Sequence, residues 1–294
     1  MSNGYLRSPV TLEGVRGATG RKPSLLRILR PLTSHLSRLT SHHSPLTLTS
    51  HFSLWCRFWA MPTTALVTGA TQGIGRATAF ALGRAGYRVG ICARTAAKVQ
   101  TLLAELGAEG IRAAGAPADV ADPEQVGDAL NQITGELGEI GILVNNAGVL
   151  IARHFEELTL EDWDVTMATN LRSLFVVTRA VLPSMRQKRE GAIVNVASLA
   201  GRNGFVGGTA YAASKHAVLG FSRSLMLEVR KDNVRVITIC PGSVDTGMLQ
   251  DQPLLRSDPR RILRPEDVAD TILHALRLPD RALVSELDIR PTNP

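Results

Sequence analysis

Cysteine is scarce: the 294-residue chain has three, Cys56, Cys92 and Cys240. An odd, widely separated set without metal-ligand spacing excludes a disulfide scaffold and predicts free thiols in a reducing, cytoplasmic setting. His154, His216 and His274 show no ligand spacing either, so no metal site is expected. No run of about 18 uncharged apolar residues occurs, which excludes a membrane-spanning helix. Aromatic residues make up only 4%, beside 44% apolar and 20% charged residues. That balance excludes a disordered chain or a collagen-like repeat and suits a soluble α/β protein able to bury a core.

A formal charge of +7 points at first to nucleic acid or an anionic membrane surface, but it is unevenly placed. Residues 1–60 hold eight Lys and Arg against Glu13 alone, while the remaining 234 residues hold 25 basic and 25 acidic side chains. The body therefore offers no electrostatic case for nucleic-acid binding. Within the leader, residues 31–53 recycle Leu, Thr, Ser and His with neither helical nor strand period. Its Arg- and Ser-rich, acid-poor composition matches an organelle transit peptide. A second reading takes Met61, followed at once by Pro62 and a strand-like run, as the initiator, with residues 1–60 an over-extended reading of the gene. A functional basic tail is the third. Trp55, Phe58 and Trp59 suit chance composition or contact with a membrane surface. We expect the initiator reading, hence a basic leader over 1–60 and one domain over 61–294.

From residue 64 short apolar runs alternate with stretches of helical period, the mark of βαβ units around a parallel sheet. Strands are expected at Ala65 to Thr68, Arg88 to Ala93, Ile111 to Ala116, Gly141 to Asn145, Ala192 to Ala197, Val234 to Cys240 and Ala282 to Ile289. Helices are expected at 74–85, 96–106, 123–137, 160–188, 209–231 and 266–276. Asp122-Pro123 and Arg264-Pro265-Glu266-Asp267 carry helix-start chemistry, a proline in the first turn and acids at the positive helix end. Seven strands and six helices fit a doubly wound three-layer α/β/α sandwich in a single domain.

After the first strand comes Thr68-Gly69-Ala70-Thr71-Gln72-Gly73-Ile74-Gly75, opening into a helix. Glycines there permit a tight turn and let backbone N–H groups and the positive helix end approach a pyrophosphate. The spacing is G-x-x-x-G-x-G, not the G-x-G-x-x-G common to such loops. In dinucleotide-binding folds an acid about 20 residues downstream holds the adenosine ribose, whereas an Arg there meets a 2′-phosphate. Arg94 lies 19 residues past Gly75 with no carboxylate near, which favours NADP(H) over NAD(H). Gln72 is neutral where a second basic residue would add to this, and a solvated helix cap is the other use of Arg94.

Ser198 follows the fifth strand, Tyr211 comes 13 residues later, and Lys215 stands four beyond Tyr211. On a helix, i and i+4 share a face, so an ammonium would stand beneath the phenol. The expected effect is to favour the phenolate and bring its pKa nearer the working pH. Ser198 would then hydrogen-bond a substrate carbonyl oxygen while Tyr211 gives it a proton.

Together these residues resemble the short-chain dehydrogenase/reductase family over essentially all of 62–294. The resemblance extends to Asp119 after the third strand, Asn145-Asn146-Ala147-Gly148 after the fourth, Asn170 in the fourth helix, and Pro241-Gly242 with Thr246 after the sixth strand. It implies a Rossmann-type fold and a catalytic tetrad of Asn170, Ser198, Tyr211 and Lys215, with Asn170 holding a water that links Lys215 to solvent. It further implies that Gly69, Thr71, Gln72, Gly73, Ile74, Gly75, Asn146, Ala147, Gly148, Pro241 and Gly242 shape the cofactor site. Asp119 and Val120 would flank the adenine, Lys215 and Tyr211 meet the nicotinamide ribose, and Thr246 with the main chain near Val244 hold the carboxamide. Ala93-Arg94 matches the NADP-preferring pattern of that family. Asn145 would support the sheet and the cofactor, though a strand-end hydrogen bonder is its simpler use, and Cys92 and Cys240 are expected as core thiols.

The expected reaction is hydride transfer between a nicotinamide cofactor and a small-molecule carbonyl or secondary alcohol. Among family members, 3-oxoacyl-carrier reductases are nearest in type, so a 3-oxoacyl thioester is a candidate substrate. Pocket residues are expected to include Leu150, Ile151, Arg202, Asn203, Phe205, Val206 and the segment 247–263, a lid by its Pro253, Pro259 and lack of period. His154 is a further candidate. Arg202, Arg256, Arg260, Arg261 and Arg264 either attract an acidic substrate or are solvated surface. The family implies a homo-oligomer, dimer or tetramer, through the long fourth and fifth helices. A competing class is an NADP(H)-binding redox sensor without turnover.

Overall fold

The computed structural model describes residues 63–294 apart from 253, 256, 257, 259, 280, 293 and 294. The leader, Met61, Trp55, Phe58, Trp59, Cys56, Pro253, Arg256 and Pro259 therefore lie outside the described residues. The chain runs β1 (Thr64–Thr68), α1 (Gly73–Arg84), β2 (Arg88–Ala93), α2 (Ala96–Ala108), β3 (Ala113–Pro117), α3 (Pro123–Leu137) and β4 (Ile140–Asn145). It continues through α4 (Leu160–Met167), a π-helical turn Ala168–Arg172, α5 (Ser173–Lys188), β5 (Gly191–Val196) and α6 (Thr209–Val229). The last elements are β6 (Val234–Pro241), α7 (Gly247–Gln250), α8 (Pro265–Leu276) and β7 (Glu286–Ile289).

All seven strands are parallel, in the order β3-β2-β1-β4-β5-β6-β7. Strand β1 shows why both faces are covered: Ala65 and Val67 join a core with α1, α2 and α8, while Leu66 joins the opposite core with α3 and α5. Period-2 alternation sends neighbours to opposite faces, and a strand apolar on both belongs inside a three-layer sandwich. The order reverses between β1 and β4, so the loops after their C-terminal ends part and leave a crevice.

Local chemistry accounts for most boundaries. Asp122 caps α3 by accepting from the N–H groups of Glu124 and Gln125, with Pro123 in the first turn. Strand β3 begins at Ala113, not Ile111, because the Ile111 N–H is taken by the Leu106 carbonyl ending α2. The last strand is shorter than expected: Ala282 is held in a turn by Pro279, and pairing starts where the Thr238 N–H reaches the Ser285 carbonyl. The expected helix 160–188 is two helices joined by the π-turn, in which Ser173 N–H reaches back to Ala168. Such single π-turns insert one residue without ending the helix. Among the described residues no helix is long and apolar enough to cross a membrane, and no metal-binding cluster occurs.

Candidate active site

Three glycines shape the turn after β1. Gly69 and Gly73 have φ of +62° and +53°, a region that side chains disfavour. A Cβ on Gly69 would stand 2.8 Å from Ala147 Cα, and one on Gly75 would stand 2.4 Å from both Asn146 Nδ2 and the Gly69 carbonyl oxygen. The backbone thus approaches where no side chain fits, and α1 starts there with no side-chain cap on its first N–H groups. Asn146 stitches the two loops, donating from Nδ2 to the carbonyls of Thr68 and Gly69 at 3.0 and 3.2 Å. The Thr68 hydroxyl accepts from the N–H groups of Asn146 and Ala147. Thr246 closes the far side, its Cγ2 lying 3.0 Å from where a Gly73 Cβ would be. Such a cradle, with open amides at a positive helix end, fits a pyrophosphate.

Arg94, Thr71, Gln72, Asp119 and Val120 lie at the same edge of the sheet, outside the lining of the main cleft. Gly69 N–H donates to the Cys92 carbonyl and Ala118 N–H to that of Ala93, which brings the ends of β1, β2 and β3 together. Arg94 is exposed and has no ion-pair partner among the described residues. Asp119 turns inward on its own loop, accepting from Ala121 N–H.

A cleft of about 810 Å³ opens at the C-terminal ends of β4, β5 and β6. Ser198, Tyr211 and Lys215 line it together with Ile74, Asn146, Gly148, Pro241, Gly242, Val244 and Thr246. Ser198 follows β5 and caps the 3₁₀ turn Leu199–Gly201; its Oγ accepts from Ala200 N–H at 3.1 Å and meets the Pro241 carbonyl only at 3.5 Å. Tyr211 and Lys215 come one turn apart on α6, as i and i+4 require. Lys215 Nζ stands 5.7 Å from the Tyr211 ring centroid and donates to the Val196 carbonyl at 2.9 Å. Burial pulls the ammonium down to about 8. The phenol moves opposite to expectation: burial pushes it above its ordinary value, and a hydrogen bond from Ser198 opposes this. Desolvation of the phenolate is the larger of these two effects, because the ring and its oxygen are packed away from water.

Asn170 does not line the cleft. It sits behind Gly148 in the π-turn, 2% exposed, its Oδ1 accepting from Val149 N–H and its Nδ2 donating to the Val149 carbonyl and Ser214 Oγ. Both amide atoms are thus engaged by protein. Asn145 is buried too, donating to Asn195 on the neighbouring strand β5 and to Thr178 on α5.

Of the expected pocket residues, Leu150, Asn203 and Phe205 line the cleft, and so do Met248, Leu249, Leu254, Leu255, Asp258, Arg261 and Ile262 of the lid segment. Ile151 and His154 do not, and Val206 is 74% exposed. Arg202 is turned away toward Glu286 and Asp288. Arg260 pairs with Asp258, and Arg264 opens α8, its N–H donating to Asp267. Arg290 and Pro291, which sequence reasoning missed, also line the cleft. Only their position after β7 signals this, since β7 lies beside β6.

The family model described as short chain dehydrogenase matches residues 63–254. The relative named "Monensin polyketide synthase putative ketoacyl reductase", from Streptomyces virginiae, is 44% identical over 188 residues, covering 63% of this chain and 72% of the relative. A variant of actinorhodin polyketide ketoreductase with NADPH superposes with a TM-score of 0.74 at 32% identity, covering 78% of this chain and 96% of that one. An alcohol dehydrogenase from the archaeon Thermococcus sibiricus, complexed with 5-hydroxy-NADP, gives 0.72 at 27% identity over 78% and 97%.

Proposed function

Because the chain belongs to the short chain dehydrogenase family of oxidoreductases, we propose that it reduces a ketone to a secondary alcohol with NADPH, Tyr211 donating the proton. The observation that carries this reading is the shared cleft: Ser198, Tyr211 and Lys215 open onto the same space as Asn146, Gly148 and Thr246. When bound, the cofactor supplies a hydride at nicotinamide C4.

The chain's own residues do the rest. The Gly69–Gly75 turn and the start of α1 offer amides to the pyrophosphate, and Arg94, exposed and without a described partner, is available to the 2′-phosphate. Asp119 and Val120 flank the adenine side, while Ala147, Pro241, Gly242, Val244 and Thr246 shape the nicotinamide side. A phenol held above its ordinary pKa is neutral at pH 7, the form a proton donor to a carbonyl oxygen needs. Ser198 Oγ lies 3.5 Å from the Pro241 carbonyl and within hydrogen-bonding reach of the Tyr211 phenol, so its hydrogen can turn to the same substrate oxygen. Lys215 carries positive charge beneath the phenol, easing the charge that Tyr211 takes on as its proton leaves. Asn170 holds Val149 and Ser214 in place behind Lys215.

The apolar walls, Leu150, Phe205, Met248, Leu249, Leu255 and Ile262, suit an acyl chain, and the ketoacyl reductase relative supports a 3-oxoacyl thioester. A homo-oligomer is part of this reading, supported by an apolar groove of Met167, Leu171, Phe175 and Phe221 on the faces of α4, α5 and α6. Oxidation of NADPH and NADH is to be followed over a panel of ketones, aldehydes and 3-oxoacyl thioesters. Turnover is expected with NADPH in preference to NADH, and Tyr211→Phe is expected to lower kcat by about 10³-fold while NADPH still binds. Tight NADPH binding with no turnover across the panel would instead identify a redox sensor.

A further inference from the structure

The turn that carries Ser198 is held from two sides. On one, a Cβ on Gly201 would stand 2.8 Å from the Lys215 carbonyl oxygen, so the 3₁₀ turn Leu199–Gly201 lies directly on the backbone of α6. On the other, the next residue, Arg202, reaches β7 with a forked guanidinium. Its Nε donates to Asp288 Oδ1 at 2.7 Å and its Nη2 to Glu286 Oε2 at 2.8 Å. Glu286 also accepts two bonds from Arg223 of α6, at 2.5 and 3.1 Å, which hold its carboxyl below the usual carboxylate range. Residues 286 and 288, at i and i+2 on a strand, share one face of the sheet edge. Two short strand carboxylates therefore tie the Ser198 turn and the helix bearing Tyr211 and Lys215 to a common post.

Isolated exposed ion pairs contribute little to stability, but the forked geometry here restrains direction as well as distance. Direction is what Ser198 needs. Its Oγ accepts from Ala200 N–H inside the same turn, so a tilt of that turn swings the hydroxyl. Misplacement of a reacting group by about 1 Å can lower a rate about 10²-fold.

We propose that Arg202, clamped by Glu286 and Asp288, is a positioning residue that aims the Ser198 hydroxyl at Tyr211 and the substrate oxygen. This rests on the reading of Ser198 as a hydrogen-bond donor in the reaction. Its test compares wild type, Arg202→Met, Ser198→Ala and the double variant, using NADPH and the best substrate of the panel. Arg202→Met is expected to lower kcat about tenfold with the KM for NADPH within about twofold, and to change kcat less than about twofold in the Ser198→Ala background. Equal losses in both backgrounds overturn the clamp, since a general structural defect multiplies through. Ultraviolet titration of Tyr211, assigned by difference from Tyr211→Phe, gives a second readout that needs no substrate. Losing the aimed hydroxyl should raise the phenol pKa in Arg202→Met as in Ser198→Ala, with no further rise in the double variant; an unmoved phenol in Arg202→Met overturns the clamp. Should Ser198→Ala turn over like wild type, the reading of Ser198 fails, and the titration alone decides the clamp. If Arg202→Met does not fold, Arg202→Lys and Glu286→Gln carry the same comparison.

Discussion

At the residue scale Lys215 is the most constrained group in the cleft. It is 5% exposed, makes one hydrogen bond, and is pulled down to about 8 by burial. Below pH 8 the folded state holds a buried charge, a penalty fully present there that fades as pH rises from 8 to the ordinary value of 10.5. Stability should therefore rise with pH across that window. Replacing Lys215 by Met removes the penalty, so the variant is expected to be the more stable at pH 7, its margin shrinking by about 2 kcal/mol by about pH 9.5. Urea denaturation at the two pH values measures this, and a pH-independent margin would show that the ammonium is not desolvated. The i, i+4 spacing of Tyr211 and Lys215 made their shared face legible in sequence. The direction of the phenol shift was not, because desolvation depends on everything packed around it. Cys92 and Cys240 behave as core thiols, free and buried, pushed up to about 12 and about 11 by burial.

At the scale of elements, the turn between β1 and α1 shows tertiary contact overruling local preference. Alanine is a better helix former than glycine by about 1 kcal/mol, so at Gly75, three residues into α1, propensity alone favours Gly75→Ala. The added Cβ would stand 2.4 Å from Asn146 Nδ2 and from the Gly69 carbonyl, and overpacking of that kind costs about 1–3 kcal/mol. Gly75→Ala is therefore expected to displace the loop and weaken NADPH binding by more than about tenfold, read by fluorescence titration; a Kd within about twofold of wild type would rule out the close approach. The π-turn at Asn170 escaped sequence reasoning because 160–188 keeps a helical period throughout, and one inserted residue alters it little. What selects the turn lies outside the helix: Asn170 is drawn onto Val149 and Ser214, 21 and 44 residues away.

For the whole molecule, the sheet order places the crevice, and the charge is unevenly divided along the chain. All the basic excess lies in residues 1–60, while 61–294 is balanced. The apolar groove beside α5 leaves Phe175 49% exposed. Exposed apolar patches of that kind are where a second chain gains most by docking, as the proposed homo-oligomer requires. On that proposal Phe175→Glu, which sets a charge in the groove, is expected to lower the mass measured by light scattering on size-exclusion eluate to that of a monomer. An unchanged mass would remove this groove from the assembly.

Short-range periodicity alone encodes the seven strands, the glycine turn, the helix starts at Asp122 and Arg264, and a phenol and an amine on one helix face. These depend on neighbours a few residues apart. Tertiary structure decided the rest, namely the π-turn, the side of the cleft that Arg290 and Pro291 close, and the turning of Arg202 from a supposed substrate contact into a tie to β7. Its partners lie 84 and 86 residues along the chain. No local pattern records such a pairing, because only the crossover from β6 through α8 lays β7 at the sheet edge within reach of Arg202.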